Sequence, residues 1–282
     1  MKTCRSPETA IAAAIAIEAL CFLFLLVPAR SQDHSPNRPP MAIPPASSHA
    51  ATAVSPHPSA DEKFLLDAAN RERATAGLQA LKWDNALAEA ARQHAKVMVS
   101  QDLLLHQCLD EAPLNERAAK AGAKFSLIAE NIAVGPNLET IHDGWMHSPG
   151  HRKNILSADV TAVGIATLRG SGGLFAVQDF SRSVEGLSLQ QQEEKVVSLL
   201  KGNGIHIADV TEEARSNCDK KQAIAAAPGS YVIRFEATQL ETLPDNLLER
   251  VKSRAYRKAG VGACRSGNND GFTLYRLAVL LN

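Results

Sequence analysis

The chain has 282 residues, 45% of them hydrophobic, and its 30 Lys and Arg balance its 30 Asp and Glu. That length suits two domains with accessory segments, and the apolar content is enough for each to bury a core. Lys and Arg against Asp and Glu run 13 to 16 over residues 61–187 and 13 to 11 over residues 188–282, so neither part has the basic excess that neutralises many phosphates, and nucleic acid is excluded as a partner.

Residues 1–30 read as a targeting segment. Lys2 and Arg5 precede an apolar run from Ile11 to Val27, interrupted by Glu18 and followed by Val27-Pro28-Ala29 as a cleavage site. This is the pattern of a secretory signal, and the run is also long enough for an uncleaved membrane anchor through residues 11–27. Either reading sends the rest of the chain out of the cytoplasm, to a secreted, periplasmic or cell-surface location. Residues 31–60 hold half of the chain's 14 prolines among Ser, Ala and His. A segment so poor in bulky apolar residues cannot offset its ordering entropy and is expected to be an extended, disordered tether. Its His34, His49 and His57 read as linker residues.

Ser59-Ala60-Asp61-Glu62 is a capping-box pattern, with Phe64, Leu65 and Ala68 behind it as a helix face running to about Ala76 and stopped by Gly77. A second helix starts at Asp84, with Leu87, Ala91, His94, Ala95 and Met98 on one stripe, which makes His94 a core residue. His106 follows the end of that run in the polar segment His106-Gln107-Cys108, and a third helix opens at Pro113 and closes at Gly122, carrying Leu114, Ala118 and Ala121.

The stretch from Phe125 to Leu156 concentrates a carboxylate, a Trp and three histidines between Gly and Pro breaks. Its polar groups are therefore expected at element ends, where sites tend to sit. Glu130 lies among Ile128, Ala129 and Ile132, so its carboxylate must find partners or change its pKa. Ser148 and Pro149 read as the N-cap and first residue of a short helix with His151 in its first turn. The four-residue spacing of His147 and His151 would suit two zinc ligands on one helix face; Pro149 between them breaks that geometry and assigns His147 to a solvated loop. Val163 to Leu168 and Leu174 to Phe180, joined by Gly170-Ser171-Gly172-Gly173, read as a β-hairpin.

Ala129-Glu130-Asn131-Ile132, Trp145-Met146, Ser148-Pro149-Gly150-His151-Arg152 and Asn154-Ile155-Leu156 together resemble the bacterial form of the CAP superfamily, the SCP domain of cysteine-rich secretory, antigen 5 and pathogenesis-related 1 proteins. The resemblance extends upstream through Asn70, Arg71, Gly77-Leu78, Leu81, Trp83 and His106, and downstream through Val163-Gly164-Ile165 to Val177-Gln178 and Phe180, so it covers residues 61–187. It implies an α-β-α sandwich with a shallow cleft lined by two His and two acidic residues. Carried over, the first histidine is His106, the first carboxylate Glu130 and the second histidine His151. The second acidic position falls on Ser148, which leaves the tetrad incomplete. Some members of the superfamily bind a divalent metal in this cleft, so the resemblance allows Zn2+ or another divalent ion on His106 and His151 with Glu130 nearby. One carboxylate fewer leaves one fewer general base, and an N-cap role accounts for Ser148 more simply than a nucleophile does.

Residues 188–282 are expected to form a smaller α+β domain of no recognised family. Ser188 to Leu200 reads as a helix with Leu189, Val196, Val197 and Leu200 inward and Gly202 as its stop; Ile205 to Val210 and Tyr231 to Ala237 alternate as strands. Thr242 to Asp245 opens a helix with Leu247, Leu248 and Val251 inward, and Gly260 to Cys264 and Phe272 to Leu281 form two strands around the turn from Ser266 to Gly271. Cys4 and Cys21 leave with a cleaved signal. In an oxidising compartment Cys218 and Cys264, in one small domain, are expected to pair, leaving Cys108 buried or reactive.

The sequence leaves two classes of function open. One is a tethered extracytoplasmic module that binds a lipid, a peptide, a cell-wall component or a protein. The other is a metal-dependent, peptidase-like hydrolase using His106, Glu130 and His151. The missing second carboxylate favours binding.

Overall fold

The computed structural model describes residues 57–108, 110–207, 211–219, 229–265, 267 and 270–282. The expected signal or anchor and nearly all of the tether lie outside them. The described residues fall in one compact unit holding two four-stranded sheets.

Helix α1, Ala60–Thr75, starts on a reciprocal cap: the Glu62 N–H donates to Ser59 Oγ at 3.3 Å and the Ser59 N–H donates to Glu62 Oε2 at 2.8 Å. Beyond its end Gly77 has φ +71°, which a glycine adopts without strain. Strand β1, Lys82–Trp83, leads into α2, Asn85–Gln101, whose N-cap Asp84 accepts from the N–H groups of Ala86 and Leu87. Helix α3, Leu114–Lys120, strand β2, Phe125–Gly135, helices α4, Leu138–His147, and α5, Pro149–Ile155, and strands β3, Ala162–Gly170, and β4, Gly173–Ser183, follow. The sheet order is β1-β3-β4-β2, with β1 parallel to β3 and the other pairs antiparallel.

The period-2 alternation of β3 builds the layers. Val163 and Ile165 pack with Leu65 and Ala69 of α1, Ile141 and Trp145 of α4 and Ile155 of α5. Ala162 and Ala166 face α2. Between them Gly164 lets α2 lie directly on the strand: a Cβ there would stand 2.0 Å from the Ala88 nitrogen and 2.2 Å from the Leu87 carbonyl carbon. Arg73 ties the second layer together from inside. Only 2% exposed, it donates from Nε to the Gln79 carbonyl and from Nη1 to the carbonyls of Ile155 and Ser157 at 2.7–2.8 Å. The expected α-β-α sandwich and β3–β4 hairpin are therefore present.

The remaining elements are α6, Leu189–Gly202, β5, His206–Ile207, α7, Thr211–Asp219, β6, Tyr231–Ala237, α8, Asp245–Lys252, β7, Lys258–Cys264, and β8, Tyr275–Leu281. They form a smaller sheet in the order β5-β7-β8-β6, with β5 parallel to β7. This repeats the scheme of the first sheet. The α6 start is again a reciprocal cap, between Ser188 and Gln191. Val261 and Ala263 pack with Val196 of α6 and Leu247 of α8, while Gly262 faces α7 so closely that a Cβ would lie 2.1 Å from the Arg215 nitrogen. Cys218 of α7 and Cys264 of β7 form the expected disulfide, with Cα atoms 5.8 Å apart; Cys108, expected to be left over, is buried and is itself disulfide-bonded.

Several expectations change in detail. Of the strand expected over 205–210, His206–Ile207 is strand and residues 208–210 lie outside the described set. Leu189, expected inward, is 38% exposed because it stands at the first position of α6. Helix α7 was not expected: its inward face is carried by Ala214, Asn217 and Cys218 alone, too thin an apolar stripe for a pattern to reveal. Strand β8 begins at Tyr275 because residues 270–273 dock on the first domain.

Candidate ligand-binding cleft

Glu130 stands in the middle of β2, not at an element end, and its ladder partner on β4 is Asp179. Ile132 and Val177, the next pair on the same face, pack against α2, so both carboxyls lie under the α2 layer. The Glu130 side chain is 4% exposed, with two hydrogen-bond partners and a third group nearby. His106 Nδ1 stands 2.9 Å from its Oε1. Arg117 Nη2, from α3, donates to its Oε2, and His94 Nε2, from α2, lies 3.8 Å away. Arg117 also donates from Nη1 to the His106 carbonyl at 3.2 Å, so one guanidinium holds both the carboxylate and the backbone of the histidine above it.

A second carboxylate supports this cluster from the α2–α3 connection. Glu111 accepts from His94 Nδ1 at 2.8 Å and lies 3.6 Å from Arg117 Nη1. Burial alone would raise its pKa; the His94 hydrogen bond, then the charges of Arg117 and His94, hold it below the ordinary carboxylate range. Asp179 behaves oppositely. It is fully buried, no donor among the described residues reaches either of its oxygens, and its carboxyl lies against Glu130. Burial and then the Glu130 charge push its pKa well up. Its environment thus favours the protonated form, beside the Glu130 carboxylate that Arg117 holds.

His151 reaches the cluster from the other layer. Asn154 of α5 donates to the Glu130 carbonyl at 3.2 Å and to Asn131 Oδ1 at 2.9 Å, and Asn131 donates back to the His151 carbonyl at 3.2 Å. These bonds pin the start of α5 to the edge strand and bring His151 beside His106. Burial, then the proximity of His106, lower the His151 pKa. The His106 ring remains 60% exposed and forms the open part of the cleft. Ser148 occupies the N-cap position of α5 as expected, yet its side chain makes no capping hydrogen bond; the same residue also closes α4. His147 is exposed, as expected, but it is the last residue of α4 and not part of a loop.

The expected His106, Glu130 and His151 thus lie together, with Ser148 at the head of the helix that carries His151. The sequence reading missed Arg117, Glu111 and Asp179 and placed His94 only in the core. His94 is buried, as expected, but one ring faces both glutamates. For Asp179 a signal existed: an acid that directly follows the apolar run Leu174 to Val177 and Gln178 and precedes Phe180. For Arg117 no signal existed, since one basic residue in a short helix is ordinary.

The residues present do not fit a divalent metal at Glu130. Each of its oxygens already has a donor, and a cation there would meet the Arg117 guanidinium, itself only 6% exposed. His106 and His151 alone are a sparse donor set. Among the described residues no group of three or more His, Cys, Asp and Glu is arranged to hold a metal. A separate groove of about 660 Å³, lined by Leu78, Lys82, Trp83, Asp84 and Thr161, opens at the β1 edge and shares no residue with the cluster.

Residues 66–180 match the model of the cysteine-rich secretory protein family, CAP. The chain is 32% identical over 121 residues to the uncharacterized protein YkwD of Bacillus subtilis, covering 43% of this chain and 47% of that one. It is 34% identical over 112 residues to the uncharacterized membrane protein YlbC of the same organism, covering 38% of this chain and 32% of that one. The chain thus spans less than half the length of either relative. Among solved structures, an extracellular protein containing a SCP domain from Bacillus anthracis is 30% identical, with 44% of this chain and 40% of that one covered and a TM-score of 0.40.

Proposed function

We propose that this chain, whose residues 66–180 are a CAP domain, is an extracytoplasmic binding protein that presents His106 and His151 to a ligand at the cleft. The observation that carries the reading is the occupancy of Glu130. With Arg117 and His106 on its oxygens, Asp179 behind it and a side chain only 4% exposed, this carboxylate supports the floor of a site and is not presented to a substrate for general-base work. The surface left to a ligand is the exposed His106 ring with His151 beside it, offered to a lipid, peptide, cell-wall or protein ligand.

Two features support a location outside the cytoplasm: the Cys218–Cys264 disulfide, which persists in oxidising compartments, and the amino-terminal apolar run. No helix among the described residues is long and apolar enough to cross a membrane.

The test compares the full exported chain with its His106→Ala/His151→Ala variant. Binding is measured to purified cell-wall sacculi and to phospholipid vesicles, and zinc is titrated by calorimetry in parallel. Retention on one of the two surfaces that the variant loses while still folded supports the reading. Tight one-to-one zinc binding abolished by the variant, together with zinc-dependent peptide hydrolysis, would replace it with the metallohydrolase. A variant that loses stability but binds as the wild type does would leave the histidines a structural role only.

A further inference from the structure

The second sheet repeats the scheme of the first, and the repeat allows the two to be compared position by position. In the first sheet the glycine under the helix, Gly164, pairs with Asp179, which pairs with Glu130. In the second, Gly262 pairs with Ala278, which pairs with Arg234. The pair of carboxyl groups is thus replaced by an alanine and an arginine, so the second domain does not carry a copy of the cleft cluster. What it does carry is a loop that reaches the first domain at the helix bearing Arg117.

We infer that the C-terminal domain is a brace for the cleft, its 270–273 loop holding α3 so that Arg117 keeps Glu130 and His106 in place. Helix α3 has seven residues and no side-chain cap, and a single pair of turns does not persist in water unaided. Its inner face carries Arg117 and Ala118. Two residues to either side of Arg117 the loop takes hold: Asn115 Nδ2 donates to the Asp270 carbonyl at 2.6 Å, and Gly271 lies over Asn115 and Ala119. A Cβ on Gly271 would stand 2.6 Å from the Asn115 carbonyl oxygen, and its φ of +85° independently favours glycine.

The grip continues on to β2. The Thr273 N–H donates to the Phe125 carbonyl at 2.7 Å, and the Phe125 N–H donates to Thr273 Oγ1 at 3.2 Å. The Phe272 ring meets the Phe125 ring edge-to-face, with centroids 5.3 Å apart. The loop therefore fixes the helix that supplies the guanidinium and the start of the strand that supplies the carboxylate, setting the distance between them. Arg117 and, through α3, Asn115, Gly271 and Phe272 are positioning residues.

The inference concerns the site proposed above to bind a ligand, but its test needs none, so the two fail separately. In the full chain, Phe272→Ala and Asn115→Ala are compared with wild type by hydrogen exchange, and the Glu111 carboxyl, held low in part by the Arg117 charge, is titrated by NMR. The expected result is about tenfold faster exchange confined to residues 114–120 and the start of β2, with the Glu111 titration moved upward by about half a unit or more. Amides of β7 and β8 keep their protection, and Phe272→Tyr, which keeps the ring, restores both readouts. Unchanged α3 exchange and an unchanged Glu111 titration in both variants would overturn the brace. So would a loss of protection spread evenly over both sheets in the mild Asn115→Ala variant, because the loop would then hold the fold as a whole and not the cleft.

Discussion

Glu130 and Asp179 face each other across the β2–β4 ladder as paired buried carboxyl groups, both under the α2 layer. Burial and the Glu130 charge set the Asp179 pKa above its unfolded value, so the native chain keeps a proton that the unfolded chain releases above about pH 4. The native state then binds more protons than the unfolded state, and stability falls as pH rises from there towards the folded pKa. Asp179→Asn, whose amide can donate as the acid does, removes that loss. Its urea midpoint is expected to exceed the wild-type value at pH 7 by more than it does at pH 4. A gap that narrows as pH rises would mean that Asp179 is ionised in the native state.

Removing Arg117 leaves Glu130 buried without its counter-ion. Arg117→Met is expected to destabilise the chain by about 3–5 kcal/mol, the usual cost of breaking a buried ion pair from one side. Glu130→Gln added to it should recover part of that loss, since the remaining group is then neutral. Urea denaturation of the two single variants and the double variant measures the coupling; strict additivity would show that the pair does not interact in solution.

The two close strand–helix approaches make parallel demands. A methyl group at Gly164 or Gly262 would lie 2.0 or 2.1 Å from helix backbone nitrogen, and backbone cannot rotate away as a side chain can. Gly164→Ala and Gly262→Ala are each expected to lose about 3 kcal/mol or more, at or beyond the upper end of ordinary overpacking. Thermal melts of both variants check this, and a loss below about 1 kcal/mol at either site would show that its helix can shift outwards cheaply.

The Cys218–Cys264 bridge closes a loop with a sequence separation of 46, for which loop-closure arithmetic gives about 4 kcal/mol. The Cys218→Ala/Cys264→Ala variant should lose stability on that scale, with the larger effect on exchange of α7 and β7 amides. Equal loss in both sheets would show that the two domains unfold as one unit.

How much of this was legible in advance follows from the range of each interaction. The Ser59 cap, the β3–β4 hairpin and the buried stripe of α2 depend on neighbours within a few residues, and local spacing reveals them. Helix α7 has the same rank in the fold but shows only Ala214, Asn217 and Cys218 to the core, so its periodicity was too faint. The cleft divides in the same way. His106, Glu130 and His151 were grouped by the family resemblance, carried by motifs that lie along the chain. Arg117, Glu111 and Asp179 become members of the site only when α3, the α2–α3 connection and β4 are folded against β2.

The sequence by itself determined most of the helices and the β3–β4 hairpin, because caps and periodicity act over short stretches of chain. The first domain's architecture and three of its cleft residues followed from the motifs that carry the family resemblance. Only the tertiary structure decided the state of those residues. Whether Glu130 is a free base or a neutralised floor depends on Arg117, 13 residues away, and Asp179, 49 residues further along the chain. Electrostatics in a low-dielectric interior is set by distance in space, and that distance is in turn held by a loop from the far end of the chain.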